Sequence, residues 1–347
     1  MRLISHLPPE VRLRLIVLYG LLIAANLGVW GWALLVFGGH PVLLGTALLA
    51  YGFGLRHAVD ADHIAAIDNV TRKLMQDGQR PVTVGFCFAL GHAAVVALVV
   101  AALAATAGAL QGRLEVMRAI GGIVSTSVSA LFLFVIAAMN MVIFRAVLRS
   151  FRDVRAGRPY TEDALQHLLN GRGLMARLFR PLFRFISRPW HMLPLGFLFG
   201  LGFETATEVS LISVSATEAS HGVSLWSVMV FPALFAAGMA LVDTTDGVLM
   251  LGAYGWAAIK PVRKLYYNLT ITLVSVLVAC LIGAIETLGL AVDQLGLSGG
   301  VWDGIAALNE NFNGIGFVCI GIFAAAWGLS ALVYRLKRFD EMPVPGG

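Results

Sequence analysis

The chain has 347 residues, of which 58% are hydrophobic and only 13% are charged. A soluble domain carries roughly a quarter charged residues, so this composition and the mean hydropathy of +0.81 indicate a membrane protein. The net charge of +5 does not point to a nucleic-acid partner, because the chain has no basic helix face and no groove of interleaved aromatic residues. The lipid bilayer is therefore the first expected partner.

Eight apolar runs are long enough to cross a hydrocarbon core that needs about 20 residues per helix. In chain order they are Leu15–Phe37, Pro41–Ile67, Val82–Ala109, Ala119–Phe144, Met192–Ser215, Ser227–Leu251, Leu269–Leu290 and Ile315–Tyr334. The sequence predicts an all-α polytopic protein with about eight transmembrane helices. We expect one transmembrane domain over residues 1–347, with a long loop at 145–190 between its two halves.

The orientation follows from the basic residues of the connections, which favour the cytoplasmic side. The connection Arg145–Arg188 carries ten arginines, whereas Ala291–Asn313 contains no lysine or arginine. Every strongly basic segment falls on one side of an eight-span bundle. We therefore expect both termini and the 145–190 loop in the cytoplasm, with a short amphipathic helix in that loop near Thr161–Leu169.

The second span carries an unusual group of ionisable residues in the stretch GLRHAVDADHIAAID. His57, Asp60, Asp62 and His63 lie within seven residues of each other. Such groups are costly at bilayer depth and usually face a partner or a pathway, so they indicate a cation site; a buried polar network that only holds helices together is the alternative. On a continuous helix Asp60 would lie about 60° from both histidines, which places these three on one stripe. Asp62 would point about 140° away from His57 and orient a ring nitrogen or face another helix.

Three further spans carry residues that suit the same site. The third has His92, which taken alone is equally consistent with an interhelical hydrogen bond. On the fifth span Glu204 and Glu208 are four residues apart, and on the sixth Asp243 and Asp246 are three apart, so each pair shares a helix face. Gly238 would allow another helix to approach closely at this level.

Charge and ligand type then narrow the kind of ion. Arg56 is the one basic residue near the predicted site, and burying several carboxylates without cations is prohibitive unless some are protonated or a metal lies among them. Calcium and magnesium prefer oxygen ligands alone. The imidazoles therefore favour a divalent transition metal.

A weak internal repeat connects the two halves. The segment Gly52–Asp60 (GFGLRHAVD) aligns with Gly200–Glu208 (GLGFETATE), and Phe88–His92 (FALGH) aligns with Phe235–Met239 (FAAGM). Three spans separate the matching helices, so the second and third spans would be an inverted copy of the fifth and sixth. Inverted repeats are common in transporters, which place the substrate site at the repeat interface.

Four segments, RHAVDADHI, LGHAAVV, LGFETATE and GMALVDTTDG, resemble the signatures of the nickel/cobalt transporter (NiCoT) family in their order and on the expected spans. The resemblance runs from about Leu15 to Tyr334 and implies eight transmembrane helices and high-affinity uptake of Ni²⁺ or Co²⁺. The family motif usually has aspartate where this chain has Glu204, and often Ser or Thr where it has Ala93 and Ala94. The residues expected to hold the metal are His57, Asp60, Asp62, His63, His92, Glu204, Glu208, Asp243 and Asp246.

The expected function is secondary transport that imports Ni²⁺ and/or Co²⁺ across a bacterial cytoplasmic membrane, with the ion as substrate and no cofactor. Efflux of the same metals is the first alternative, although related exporters tend to carry a histidine-rich cytoplasmic segment and this loop has only His167. An intramembrane metallohydrolase is the second, but the chain has no HExxH motif. The sequence leaves the oligomeric state and the choice between nickel and cobalt open.

Overall fold

The computed structural model describes residues 8–106, 114–155, 186–202, 206–220, 222–257 and 261–336. Regular structure in these segments is entirely helical, and two short 3-10 turns, Pro189–His191 and Gly200–Gly202, flank one helix. The α-helices are α1 (Pro9–Phe37), α2 (Pro41–His57), α3 (Ala61–Gln76), α4 (Val84–Ala105), α5 (Leu114–Arg155), α6 (Met192–Phe199), α7 (Ala206–Ser220), α8 (Leu225–Val228), α9 (Val230–Ala257), α10 (Pro261–Leu295), α11 (Val301–Glu310) and α12 (Phe312–Leu336).

Five helical stretches are long and apolar enough to cross a membrane alone, and three bent pairs bring the number of crossings to eight. The five are Pro9–Phe37, Val84–Ala105, Ala119–Arg149, Leu225–Gly255 and Leu269–Leu295. The predicted helical membrane protein with about eight spans is therefore confirmed.

The second and fifth spans are not the continuous helices that hydropathy suggested, and the eighth, which is continuous as α12, is preceded by a short helix, α11. The helices meet at bends of 52° between α2 and α3, 73° between α6 and α7, and 81° between α11 and α12. The segment predicted as a plain connection before the eighth span contains α11, which has no buried residue. Its ten residues are too few to register as a span, since a crossing needs about 20.

α3 lies at the centre of the described bundle, where every residue from 63 to 74 is buried. Its polar side chains bond to three other spans. Asp68 accepts hydrogen bonds from the hydroxyls of Tyr254 on α9 and Ser275 on α10. Asn140 on α5 donates to Asn69 at 2.6 Å. Buried polar groups need such partners, so these bonds hold the second half of the bent span in one position.

The first bent span packs backbone to backbone against the sixth span. A Cβ atom on Gly54 would lie 2.1 Å from the carbonyl oxygen of Phe235, and one on Gly238 would lie 2.9 Å from that of Tyr51. No side chain fits at these distances, so glycine is required. The predicted close approach at Gly238 is confirmed.

The second bent span packs in the same way against the third. A Cβ atom on Gly196 would lie 2.1 Å from the carbonyl oxygen of Phe88. Each bent span therefore packs against a straight span of the other half: the second span against the sixth, and the fifth against the third. Two repeats that pack against each other in this reciprocal way would show the same arrangement. The inverted repeat itself stays a prediction.

The 145–190 loop is described only at its ends. α5 extends to Arg155, and the chain resumes at Ile186, whose carbonyl accepts a hydrogen bond from Lys73 at the end of α3. The expected helix at Thr161–Leu169 lies outside the described residues.

Candidate metal centre

The centre is built on the break between α2 and α3. α2 ends at His57, and Asp60, in extended conformation with φ −67° and ψ 147°, occupies the N-cap position of α3. Aspartate is a preferred N-cap residue, yet the structure records no capping bond for its side chain. Instead, Oδ2 of Asp60 lies 3.0 Å from Nδ1 of His57. The helix is interrupted between these residues, so the predicted stripe on a continuous helix was wrong in its geometry, although Asp60 does lie beside His57.

Three buried imidazoles form a nearly equilateral triangle. The ring centroids of His57, His63 and His92 are 4.7 to 4.8 Å apart, and their candidate ligand atoms all lie within 4.8 Å of one another. Nε2 of His57 and Nε2 of His92 are 2.8 Å apart. The three side chains are at most 3% exposed. The third span therefore places its imidazole against the two imidazoles of the second span, in a group that could hold a metal ion.

Two carboxylates close the triangle from the fifth and sixth spans. Oε1 of Glu208 lies 2.9 Å from Nε2 of His92 and 3.9 Å from Nε2 of His57. Both carboxylate oxygens of Asp243 lie 3.2 to 3.3 Å from Nδ1 of His63. Each imidazole thus has a carboxylate within hydrogen-bond distance, an arrangement that fixes ring orientation in metal sites.

Two ring nitrogens remain without a hydrogen-bond partner in the described part of the chain. They are Nε2 of His63 and Nδ1 of His92, and both atoms are buried. A buried polar atom without a partner is destabilising unless something else binds it. These nitrogens are the open positions of the centre.

The remaining predicted ligands are placed less directly. Asp62 accepts a hydrogen bond from the backbone N–H of His63 at 2.9 Å, whereas orientation of a ring nitrogen or contact with another helix had been expected. Asp246 lies one helical turn beyond Asp243 on α9, and no contact with the three imidazoles is recorded for it within the described segments. Glu204 lies outside the described residues.

A cavity of about 390 Å³ opens from this centre towards one end of the bundle. It is lined by centre residues, by hydroxyl groups of α5 and by one face of α10. At its far end it reaches Asp293 and Glu310, both exposed. The centre is therefore accessible from the end of the bundle where α11 lies.

The sequence profile of the family described as "High-affinity nickel-transport protein" matches residues 43–333 of the chain. The chain belongs to this family. The matched region holds all the residues of the centre and all but the first of the eight spans.

Curated members of this nickel-transport family are similar over most of their length. The high-affinity nickel transport protein of Cupriavidus necator is 60% identical over 96% of this chain and 95% of its own. The nickel transporter NicT of Mycobacterium tuberculosis is 45% identical over 90% of this chain and 84% of its own. The cobalt transport protein NhlF of Rhodococcus rhodochrous is 40% identical over 87% of both chains. No solved structure matches significantly.

Membership of the nickel-transport family confirms the resemblance noted in the motifs. It makes the chain a member of a transporter family and not of an enzyme family, which overturns the metallohydrolase alternative. The family motifs account for the imidazoles and for the acids of the second, fifth and sixth spans.

Two polar side chains near the centre are not among the predicted ligands, and of these Thr207 was expected from the sequence to bond back to its own helix. The hydroxyl of Thr207 on α7 lies 3.4 Å from Nδ1 of His57. Glu286 on α10 is 5% exposed and lines the cavity. The sequence does indicate Glu286, because it is the single carboxylate within the apolar seventh span.

Proposed function

We propose that this protein is a secondary transporter that imports Ni²⁺ and/or Co²⁺ across a bacterial cytoplasmic membrane. The ion binds at the break of the first bent span, where His57, His63 and His92 converge. Asp60, Glu208 and Asp243 orient the rings and balance the charge of the ion. The triangle of three buried imidazoles is the observation that carries the proposal, because packing alone gives no reason to place three such rings in contact at bilayer depth.

The ligand types support a transition metal. Three imidazoles lie together with carboxylates, and this mixed set suits Ni²⁺ and Co²⁺, whereas calcium and magnesium prefer oxygen ligands alone. The distance of 2.8 Å between Nε2 of His57 and Nε2 of His92 is that of a hydrogen bond, which leaves Nε2 of His63 and Nδ1 of His92 as the ring nitrogens without a partner among the described residues. The relatives named for nickel and for cobalt transport support both ions as substrates.

The proposed ligand set extends to the other motif acids. Asp62, at the first turn of α3, faces the cavity, and Asp246 is one turn from Asp243. Glu204 is proposed from the motif alone. We expect these three to receive the ion before or after the imidazoles hold it.

The direction of transport follows from the proposed orientation. With both termini and the 145–190 loop in the cytoplasm, the cavity opens to the outside, because α11 belongs to a connection without basic residues. On the other side of the centre, Ile67, Val70 and Leu74 of α3 are fully buried. The structure then corresponds to an outward-open state. A membrane potential negative inside favours inward movement of a divalent cation by about 4–5 kcal/mol per 100 mV.

The test is accumulation of radioactive nickel and cobalt by cells that express the chain. His57→Ala removes a ring that contacts both other imidazoles, so it should abolish uptake while the protein remains in the membrane. His40→Ala is the matched control, because His40 is exposed in the connection before α2. Normal uptake by His57→Ala would refute the assignment.

Import and efflux are separated by a growth experiment. An importer sensitises cells to millimolar nickel, whereas an exporter protects them. Protection that depends on His57 would keep the metal site but reverse the proposed direction.

A further inference from the structure

We infer that Glu286 is a cation-binding residue on the entry path of this transporter: its carboxylate receives the hydrated cation in the cavity and passes it to the imidazoles. The inference rests on the proposed function and adds a residue of the seventh span, which none of the four family motifs includes. It is carried by the position of Glu286 on one polar wall between the protein surface and the centre.

One face of α10 forms that wall. Glu286, Gly289, Leu290 and Asp293 all line the cavity. Their spacing of three, four and seven residues places them on one side of a helix. Asp293 is exposed at the mouth, and Glu286 is buried two turns deeper. A cation that follows this face meets a carboxylate at the surface and a second one about 10 Å further in.

The neighbouring helix α5 adds hydroxyl groups to the cavity. Ser125, Thr126 and Ser129 of α5 line the same cavity. The hydroxyl of Ser129 donates a hydrogen bond to Oε1 of Glu286 at 2.7 Å, which orients the carboxylate. Hydroxyl and carboxylate oxygens can replace the water shell of an ion, which apolar walls cannot do.

The charge along the cavity favours cations throughout. Among the residues that the structure describes, six carboxylates line it against one guanidinium, that of Arg56. A cleft lined by charges of one sign raises the local concentration of ions of the opposite sign. At the inner end His92 also lines the cavity, and its buried Nδ1 has no hydrogen-bond partner among the described residues. The path thus ends at an open metal-ligating atom.

Nickel uptake kinetics of cells or proteoliposomes that carry the full chain provide the test. If Glu286 receives the ion through its charge, Glu286→Gln should raise KM by about tenfold and leave Vmax unchanged. Glu286→Asp keeps the charge and should raise KM less than Glu286→Gln does. Asp303→Asn is the matched control, because Asp303 is exposed on α11 at the same end of the bundle and does not line the cavity.

If the role of Glu286 were purely structural, Glu286→Asp would raise KM more than Glu286→Gln does. Glutamine has the shape of glutamate and keeps an acceptor for Ser129, so it would then be tolerated better than aspartate. That order, an unchanged KM for Glu286→Gln, or a fall in Vmax alone would overturn the inference.

Titration of the purified variant with Ni²⁺ checks that it is folded: we expect the stoichiometry of the wild type, and loss of the site would also overturn the inference. Failure of the proposed function is distinguishable, because wild-type protein itself would then take up no metal.

Discussion

The two bent spans of the described bundle have similar backbones and different chemistry. The first, α2 with α3, and the second, α6 with α7, both break in mid-span, and each packs through glycine against a straight span of the other half. The first brings two imidazoles and two carboxylates to its break, whereas Thr207 and Glu208 are the polar residues recorded at the described part of the second. Similar packing therefore does not imply similar chemistry: the first bent span contributes four of the proposed ligands, including two of the three imidazoles, and the described part of the second contributes Glu208.

The second half of the first bent span is firmly anchored. Beyond its break, Asp68 and Asn69 of α3 accept hydrogen bonds from side chains of three other spans. In the proposed transport cycle, we therefore expect α3 to be a fixed element.

The largest expected effect comes from the packing that the two bent spans share. Gly54→Ala and Gly196→Ala each force a methyl group to about 2 Å from a backbone carbonyl, and we expect each to destabilise the protein by about 3 kcal/mol or more. Thermal unfolding of purified protein in detergent is the measurement. Gly52→Ala is the control, because nothing lies within 4 Å of its Cβ position and alanine favours the helix. Tolerance of Gly196→Ala alone would mean that the second bent span packs more loosely than the first.

The next largest effect concerns the proposed metal ligands, which the two bent spans contribute in unequal number. Glu208→Gln removes the charge that the second bent span places beside His92, and we expect Ni²⁺ affinity to fall about 10–100-fold. His63→Ala should abolish binding, since it removes a ring of the triangle. Isothermal titration calorimetry on purified protein compares the two, with Glu218→Gln on the same helix as control. Equal loss in both variants would show that the second bent span contributes as much as the first.

The smallest effect concerns the anchoring of α3. Tyr254→Phe removes one hydrogen bond to the buried carboxylate of Asp68, and we expect a loss of about 1–2 kcal/mol. Thermal unfolding again measures the change. Tyr51→Phe, at a half-buried tyrosine that packs against Trp30, should have almost no effect. An unchanged unfolding temperature for Tyr254→Phe would contradict the view of α3 as a fixed element.

Much of the fold and part of the site followed from local features of the sequence. Hydropathy located the eight crossings because each depends on the composition of one continuous stretch. The His/Asp group of the second span indicated a cation site because His57, Asp60 and His63 are neighbours in the chain, and its chemistry is costly wherever it lies in a membrane. The motif order was enough to indicate the transporter family.

The remaining features of the site depend on contacts between residues that are far apart in the sequence. Hydropathy registers apolar length and not direction, so it did not reveal the break between His57 and α3, which places Asp60 at the N-cap position of α3. Whether His92 joined the site or only a neighbouring helix depended on the packing of the third span against the second. Glu286 is more than 200 residues from His57 in sequence, and only the folded bundle brings it into the same cavity. Sequence patterns reveal which residues are costly to bury, whereas the tertiary structure determines which of them lie close enough to form one site.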